Sequence, residues 1–300
     1  MKKLIGIAGL MFISASLFAG NVKFTGEDYQ DIEKAAKDLI DANMKALKKE
    51  GIKKLAILEC CGTYVTSKEV TNSVADQRSN NFVFNVRTKT TTLEMDKDFY
   101  TNTSNRVYDA VKEAFEANGI AISTKEEINN SERYIEFNLD EEKAGRGVSS
   151  GLYKPTVVEK SQKVSTTGLG VFPGAVGMIK VVMNLGYIVA DLGADGFVQV
   201  NFKVDKSKDD QPILTEFNML LSSNIKETEV GFKGNKKMRY DFMNQWQPIV
   251  TLKAPLESED EVMDGKKGPF NVTKYDKALM DMLYAITDAT KVSISKALVK

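Results

Sequence analysis

Histidine is absent from the 300-residue sequence. Its absence removes the serine–histidine–aspartate and cysteine–histidine arrangements, together with the commonest imidazole bases and zinc ligands. The sequence also has no GxxxxGK phosphate-binding loop. The glycine-rich stretch Gly193–Gly196 comes before an expected strand, whereas a dinucleotide-binding turn follows one. We therefore predict a protein that is not an enzyme and has no cofactor and no metal site.

The sequence has no excess of basic charge, because its 41 basic residues are balanced by 41 acidic ones. A protein that binds nucleic acid needs a basic surface, so the composition predicts no such partner. The local basic run Lys233–Arg239 fits a solvated turn. The acidic stretches Asp140–Glu142 and Glu257–Asp264 lack the ligand spacing of an EF-hand, and we expect them at the surface.

Cysteine is scarce, and its two copies, Cys60 and Cys61, are neighbours in the chain. Adjacent Cα atoms lie about 3.8 Å apart, whereas a disulfide usually joins Cα atoms about 4.4–6.8 Å apart. A bond between the two would strain the peptide that links them. We expect two free thiols at the end of a strand.

Residues 1–19 have the order of a secretory signal. Lys2 and Lys3 form a charged start, Leu4–Ile13 supply an apolar middle, and Ala19 offers a small residue before Gly20. The apolar run is short for a membrane span and is followed by polar sequence. We predict cleavage after Ala19, export, and one mature domain over residues 20–300. No cysteine follows the leader closely, so a bacterial lipid anchor has no acceptor.

The mature sequence alternates helical and extended patterns, which predicts an α/β fold, with α+β as the alternative. We expect a mixed sheet flanked by helices, a long amino-terminal helix and a carboxyl-terminal helix. The main predicted elements are a helix from Thr25 to Gly51, a buried strand at Lys54–Glu59, a polar loop at Gly62–Asn81, a strand at Phe82–Met95, a helix at Asn105–Asn118, strands at Ile120–Ser123 and Arg133–Leu139, an exposed excursion at about 145–167, strands at Ile213–Ser223 and Lys237–Leu252, and a last helix capped by Thr273 with Asp276.

The stretch Leu185–Asp205 is the centre of this pattern. Val198, Val200, Phe202 and Val204 alternate with polar residues after a glycine corner, which indicates a strand. The preceding segment Gly168–Leu192 is strongly apolar and becomes helical from Ala175. Its polar residues, spaced to share one stripe of that helix, are Lys180, Asn184, Tyr187 and Asp191.

Two sets of residues are candidates for function. Glu59 lies at the carboxyl end of the first buried strand, where α/β sheets often carry functional groups, and is a candidate buried acid. The stripe on the Gly168–Leu192 helix is a candidate interaction surface.

The order of elements resembles an α/β fold shared by three envelope families. In the sequence, KLAILE is followed by NRVYDAVKEAFEANG, IAIS, LGADG and FVQVNFKV. This order is similar to that of the curli secretion-channel family, the lipoprotein activators of penicillin-binding proteins and the amino-terminal domain of the Tol-system propeller protein. Ala194-Asp195 matches the Ala-Asp dipeptide before the central strand of those proteins. The resemblance covers about Lys53–Asn224 and the last helix, and this chain departs from the lipoprotein members in lacking their lipid-bearing cysteine.

The resemblance implies a non-catalytic cell-envelope protein that binds or positions other envelope components. It would act in the periplasm or at the periplasmic face of a bacterial outer membrane, with envelope proteins as partners. Peripheral membrane contact and oligomer formation stay open. The alternative is an oligomeric, membrane-inserting or channel-forming protein that uses Gly168–Leu192. A third hypothesis is a hydrolase or binding protein that acts through Glu59.

Overall fold

The computed structural model describes residues 20–27, 29–76, 83–151, 154–173, 175–231, 237–265 and 268–299. Within these residues, the backbone alone is described at 72–76, 83–86, 151, 154 and 175–180. The predicted leader, residues 1–19, lies outside the described part.

Eleven strands of the described chain form one mixed sheet, and seven helices accompany it. The strands are β1 Val22–Phe24, β2 Ile40–Ala42, β3 Lys54–Asp76, β4 Val83–Thr92, β5 Ala121–Ile122, β6 Glu142–Gly151, β7 Lys154–Ser165, β8 Gly196–Lys206, β9 Pro212–Val230, β10 Lys237–Leu252 and β11 Leu256–Ser258. The helices are α1 Ile32–Asp38, α2 Lys45–Lys49, α3 Lys97–Glu116, α4 Lys125–Asn129, α5 Glu132–Ile135, α6 Ala175–Asp191 and α7 Val272–Val299.

The main path of the sheet runs β1-β11-β9-β8-β3-β7-β6. The strand β10 pairs with β9 and carries β2 on its other side, while β4 and β5 pair with β3. The central pair β3–β8 is parallel, whereas β9, β7 and β4 run antiparallel to their neighbours. The predicted α/β class with a mixed sheet is therefore confirmed at this level.

The predicted long amino-terminal helix is wrong. The region holds two short helices, α1 and α2, separated by β2. Asp31 caps α1 by accepting from the backbone N–H groups of Glu33 and Lys34. Ile40 then pairs with Leu252 of β10, so tertiary sheet pairing overrides the helical periodicity at this point. Gly51 does end the region with a positive φ of 62°, as expected.

The glycine corner at Gly193–Gly196, which leads into β8, is formed as the sequence indicates. Gly193 has a positive φ of 59°, and β8 follows directly. The Oδ2 atom of Asp195 accepts from the backbone N–H groups of Lys53 and Lys54 at 2.7 and 2.9 Å. Asp195 therefore fastens the corner before β8 to the beginning of β3, its parallel neighbour.

The predicted loop Gly62–Asn81 is wrong as far as Asp76, because β3 continues to that residue; residues 77–82 lie outside the description. The exposed excursion at 145–167 is also corrected, since it contains most of the β6–β7 hairpin. We use "the ribbon" for the antiparallel strands β4, Ser67–Asp76 of β3, β7 and β6. From Ala144 to Ser150 every residue of β6 is exposed, whereas Val164, Ser165 and Thr166 at the end of the segment are buried, so only part of the predicted excursion is a surface feature.

Other helix boundaries also differ from the prediction. The helix expected at Asn105–Asn118 begins earlier, after its cap Asp96. The strand expected at Arg133–Leu139 is wrong, because this segment contains the four-residue helix α5. The last helix is capped by Asn271, which accepts from the backbone N–H of Lys274, and not by Thr273 with Asp276.

The two faces of the sheet have different coverings. On the helix face, α3 and α7 pack on β3 and β9. Tyr64 of β3 stacks on Tyr100 of α3 there, and its hydroxyl donates to the Tyr100 carbonyl at 3.2 Å. On the second face, the hydroxyl of Tyr134 in α5 donates to the Leu58 carbonyl at 3.3 Å. No helix of the described part combines the length and apolar content needed to cross a bilayer.

Candidate functional site

Glu59 lies on the second face of the sheet, where β3 leaves its apolar run Leu55–Leu58. The register of β3 with β8 shifts between Ile57 and Glu59, which marks a bulge at this point. The residue is 1% exposed, so its carboxylate is removed from water. A buried carboxylate requires hydrogen bonds and a counter-charge to remain ionised. Its burial agrees with the acid that the sequence indicates, but the predicted position at the carboxyl end of the strand is wrong, because β3 continues to Asp76.

Groups from four segments surround the Glu59 carboxylate. Its Oε1 atom accepts from Lys163 Nζ at 3.0 Å, from the backbone N–H of Phe172 at 2.8 Å and from Cys61 Sγ at 3.5 Å. Its Oε2 atom accepts from Gln199 Nε2 at 2.7 Å. Both oxygens are therefore occupied by donors of the same chain. The site joins β3, β7, β8 and the segment before α6.

Lys163 supplies the positive charge of this site. Burial disfavours its charged form, but the adjacent Glu59 and Cys61 outweigh that effect, and the pKa of Lys163 lies above its usual value. Lys163 therefore carries its positive charge at neutral pH, with Nζ 3.0 Å from Glu59 Oε1. Lys163 lies in the segment expected as an excursion, and Gln199 was expected only on a polar strand face. The β-branched residues Val157, Val158 and Val164 are the sequence signal that could have identified β7.

The two cysteines are free, as predicted. Their side chains leave opposite faces of β3, because successive residues of a strand alternate. Cys60 Sγ approaches the carbonyl of Ser104 in α3 at 3.8 Å, whereas Cys61 faces Glu59. Burial raises the pKa of both thiols, with the Glu59 carboxylate adding to the effect. The reactive thiolate form is therefore disfavoured at both residues.

A second charged cluster lies farther along the same face. Lys203 Nζ and Lys68 Nζ contact the two oxygens of Glu159 at 2.9 and 3.4 Å. Lys68 also contacts Asp205 Oδ2 at 2.7 Å. The cluster connects β3, β7 and β8 in the half-buried part of the sheet. Sequence reasoning missed it, because Lys68 and Glu159 come from segments predicted to be loops.

The polar stripe of α6 lies against α5 and β10. The Tyr187 hydroxyl donates to the Met238 carbonyl at 3.0 Å, and the ring packs edge-on against Tyr240. Arg133 of α5 lies over the Tyr187 ring at 4.4 Å and contacts Asp191 Oδ2 at 3.5 Å. Tyr187 is therefore occupied by contacts within this chain. Asn184 is half-buried, Asp191 is exposed, and the Lys180 side chain lies outside the described atoms.

The five candidate residues do not form one site. The partners of Glu59 come from β3, β7, β8 and Phe172, whereas those of Tyr187 come from α5 and β10. In the described part of the chain, no three histidine, cysteine, aspartate or glutamate side chains could together hold a metal ion. Glu59 therefore belongs to a buried polar network, and Tyr187 belongs to a separate helix surface.

The edges of the ribbon carry a further set of charged residues that sequence reasoning missed. Arg87 and Lys89 on β4, Arg146 on β6 and Lys160 on β7 are all exposed. None of them forms an ion pair with a carboxylate of the described residues. The row of threonines between Thr88 and Thr92 is exposed except for half-buried Thr91.

Comparisons of the chain with protein-family models, with curated proteins and with solved structures find no match. The resemblance to the three envelope families therefore stays a prediction.

Proposed function

We propose that this chain is a non-catalytic, exported cell-envelope protein that binds or positions other envelope components. It acts in the periplasm or at the periplasmic face of the outer membrane of a bacterium. The sequence pattern of residues 1–19 supports export, and the balanced charge is in keeping with protein partners.

The observation that carries this proposal is the ribbon with its two edge strands. Among the described strands, β4 and β6 each pair on one side only, with β3 and β7 respectively. An edge strand presents unpaired backbone N–H and C=O groups that another extended chain can pair with. Exposure along Ala144–Ser150 and at most of Arg87–Thr92 leaves these edges accessible. A surface of this kind suits a protein that holds partners.

The interior polar groups support a binding role over a catalytic one. A general base needs a lone pair within reach of a substrate proton. Both oxygens of Glu59 are occupied by internal donors, and the residue is 1% exposed. The thiols of Cys60 and Cys61 are buried and have raised pKa values. These groups fit the role of joining strands, and the hydrolase hypothesis gains no support from them.

Packing of Gly168–Leu192 favours this proposal over membrane insertion by that segment. Leu169, Val171, Leu185, Ile188 and Val189 are each at most 2% exposed. Insertion would require these side chains to leave the core, at about 1.5–3 kcal/mol for each large side chain. We therefore expect the mature protein not to float with liposomes in a density gradient.

A capture experiment tests the proposal. The mature chain, residues 20–300, is immobilised and incubated with native envelope extract, with and without an excess of the free mature chain. We expect a defined envelope protein to be retained and to be displaced by the free chain. Retention that the free chain does not reduce, or no retention at all, contradicts the proposed function.

A further inference from the structure

Among the described strands, β4 pairs with β3 alone, and its other edge faces no strand. The pairing is continuous from Ser67 opposite Thr92 to Asp76 opposite Val83. In an antiparallel sheet an edge strand leaves about half of its backbone groups without a ladder partner. Lys206 Nζ donates to the Thr92 carbonyl at 2.8 Å, which occupies one end of the strand. The free edge therefore begins on the amino-terminal side of Thr92 and continues toward Arg87.

Two basic residues lie on one face of this free edge. Arg87 and Lys89 are two positions apart, so their side chains leave the same side of the strand. Both are exposed, and the residues opposite them on β3 are uncharged, Asn72 and Val70. Their positive charges are not neutralised by any carboxylate of the described chain. The accessible part of β4 is thus a positively charged strand edge.

The charges on β4 oppose pairing with β4 of a second copy of this chain. Antiparallel pairing of β4 with β4 of another copy, centred on Thr88, would place Arg87 opposite Lys89. Like charges directly opposite each other on neighbouring strands are destabilising. The other edge strand of the ribbon, β6, carries Arg146 and is therefore no better as a partner. The same charges attract an extended segment that has carboxylates at alternate positions.

We propose that the β4 edge binds an extended, acidic segment of a partner protein as an added strand. This inference rests on the proposed binding function and specifies the chemistry of the partner. Backbone hydrogen bonds to β4 provide affinity, and carboxylates opposite Arg87 and Lys89 provide selectivity. The guanidinium of Arg87 can hold a carboxylate through two parallel hydrogen bonds. The positive charge thus disfavours pairing of β4 with β4 of another copy and selects an acidic strand.

The test uses the mature chain and two blocked seven-residue peptides, one alternating valine with glutamate and the other alternating valine with lysine. Amide NMR shifts and amide exchange are followed on β4 at Arg87–Thr91 and on β6 at Gly145–Ser149. We expect the glutamate peptide to shift and protect the β4 amides alone. The lysine peptide should bind about tenfold or more weakly, because it places like charges opposite Arg87 and Lys89.

Charge reversal provides the matched variants. In Arg87→Glu/Lys89→Glu the preference should switch, so that the lysine peptide binds and the glutamate peptide does not. The control Arg146→Glu/Lys160→Glu changes two exposed basic residues of β6 and β7 and should keep the wild-type preference. Binding of the lysine peptide to Arg87→Glu/Lys89→Glu would show that this variant is folded.

Three results would overturn the inference: no glutamate-peptide shifts on β4, equal shifts on β6, or a preference that does not switch on charge reversal.

The capture experiment separates this inference from the proposed function. An envelope protein retained equally by wild type and Arg87→Glu/Lys89→Glu would contradict the β4 edge and leave the binding function intact. Failure of wild type to retain any component would contradict the binding function itself.

Discussion

Lys163 Nζ lies 3.0 Å from Glu59 Oε1 and joins β7 to β3 at a point where the carboxylate is 1% exposed. Gln199 and the backbone N–H of Phe172 complete the bonding of that carboxylate. The pair therefore connects the ribbon strand β7, the central strands and the segment that leads into α6. It has the geometry of a buried structural ion pair, whose loss on one side leaves a charge without a partner.

Removal of Lys163 should destabilise the fold. Lys163→Met leaves Glu59 buried without its counter-charge, and we expect the free energy of unfolding to fall by about 3 kcal/mol. Urea denaturation measures the change. The control Lys160→Met, on the exposed surface of the same strand, should change it by about 0.5 kcal/mol or less. Equal effects of the two substitutions would contradict a buried ion pair.

The buried thiols predict a loss of stability at alkaline pH. In the unfolded chain a thiol ionises near pH 8.5, whereas burial raises the pKa of Cys60 and Cys61 in the fold. Above pH 8.5 the unfolded state therefore binds fewer protons, and stability falls as pH rises. The expected loss is about 1.4 kcal/mol per thiol at pH 9.5.

Urea denaturation under reducing conditions at pH 7.5 and 9.5 measures this loss. Cys60→Ala/Cys61→Ala should remove most of the difference between the two pH values. The same variant serves as the blank in a thiol titration, which should find two free thiols per wild-type chain in denaturant. An unchanged pH dependence in the variant would exclude the thiols as its source.

Two nearby positions on α6, one buried and one exposed, should differ in how much stability the same substitution removes. Leu185 is 1% exposed, and Leu185→Asp would bury a carboxylate without a partner, at a cost of several kcal/mol. Met183 is 69% exposed, so Met183→Asp should be nearly neutral. Melting curves of the two variants compare them directly. A Leu185→Asp variant with wild-type stability would mean that α6 is not packed on the body.

The leader should be absent from the exported protein. The order of charge, apolar run and small residues predicts cleavage after Ala19, so the mature chain begins at Gly20. Mass spectrometry of the protein recovered from the envelope checks this. Recovery of chains that still begin at Met1 would rule out the predicted cleavage.

Local patterns in the sequence were sufficient to predict some of the fold. The alternation from Val198 to Val204 identified β8, and the apolar run before Glu59 identified the buried first part of β3 together with its buried acid. Both signals depend on which neighbouring residues are apolar, so they can be read without knowing the tertiary pairing. The approximate positions of β4, β9, β10 and α6 were predicted for the same reason.

The wrong predictions depend on pairing between distant segments. The polar half of β3 becomes a strand because β4 and β7 pair with it, and its sequence resembles a loop. Ile40 leaves the helical pattern because it pairs with Leu252. At α5 the short alternation of apolar residues indicates a strand, whereas Tyr134 reaches the Leu58 carbonyl from a helical turn. Lys163 could not be assigned to Glu59 without the β3–β7 register.

The most direct test of the binding role is photo-cross-linking in growing cells. A cross-linking amino acid replaces Thr90, an exposed residue of β4, or Glu126, an exposed residue of α4 that serves as the control. The account predicts a covalent adduct with an envelope protein from position 90 and none from position 126. No adduct at position 90, or the same adducts from both positions, would contradict it.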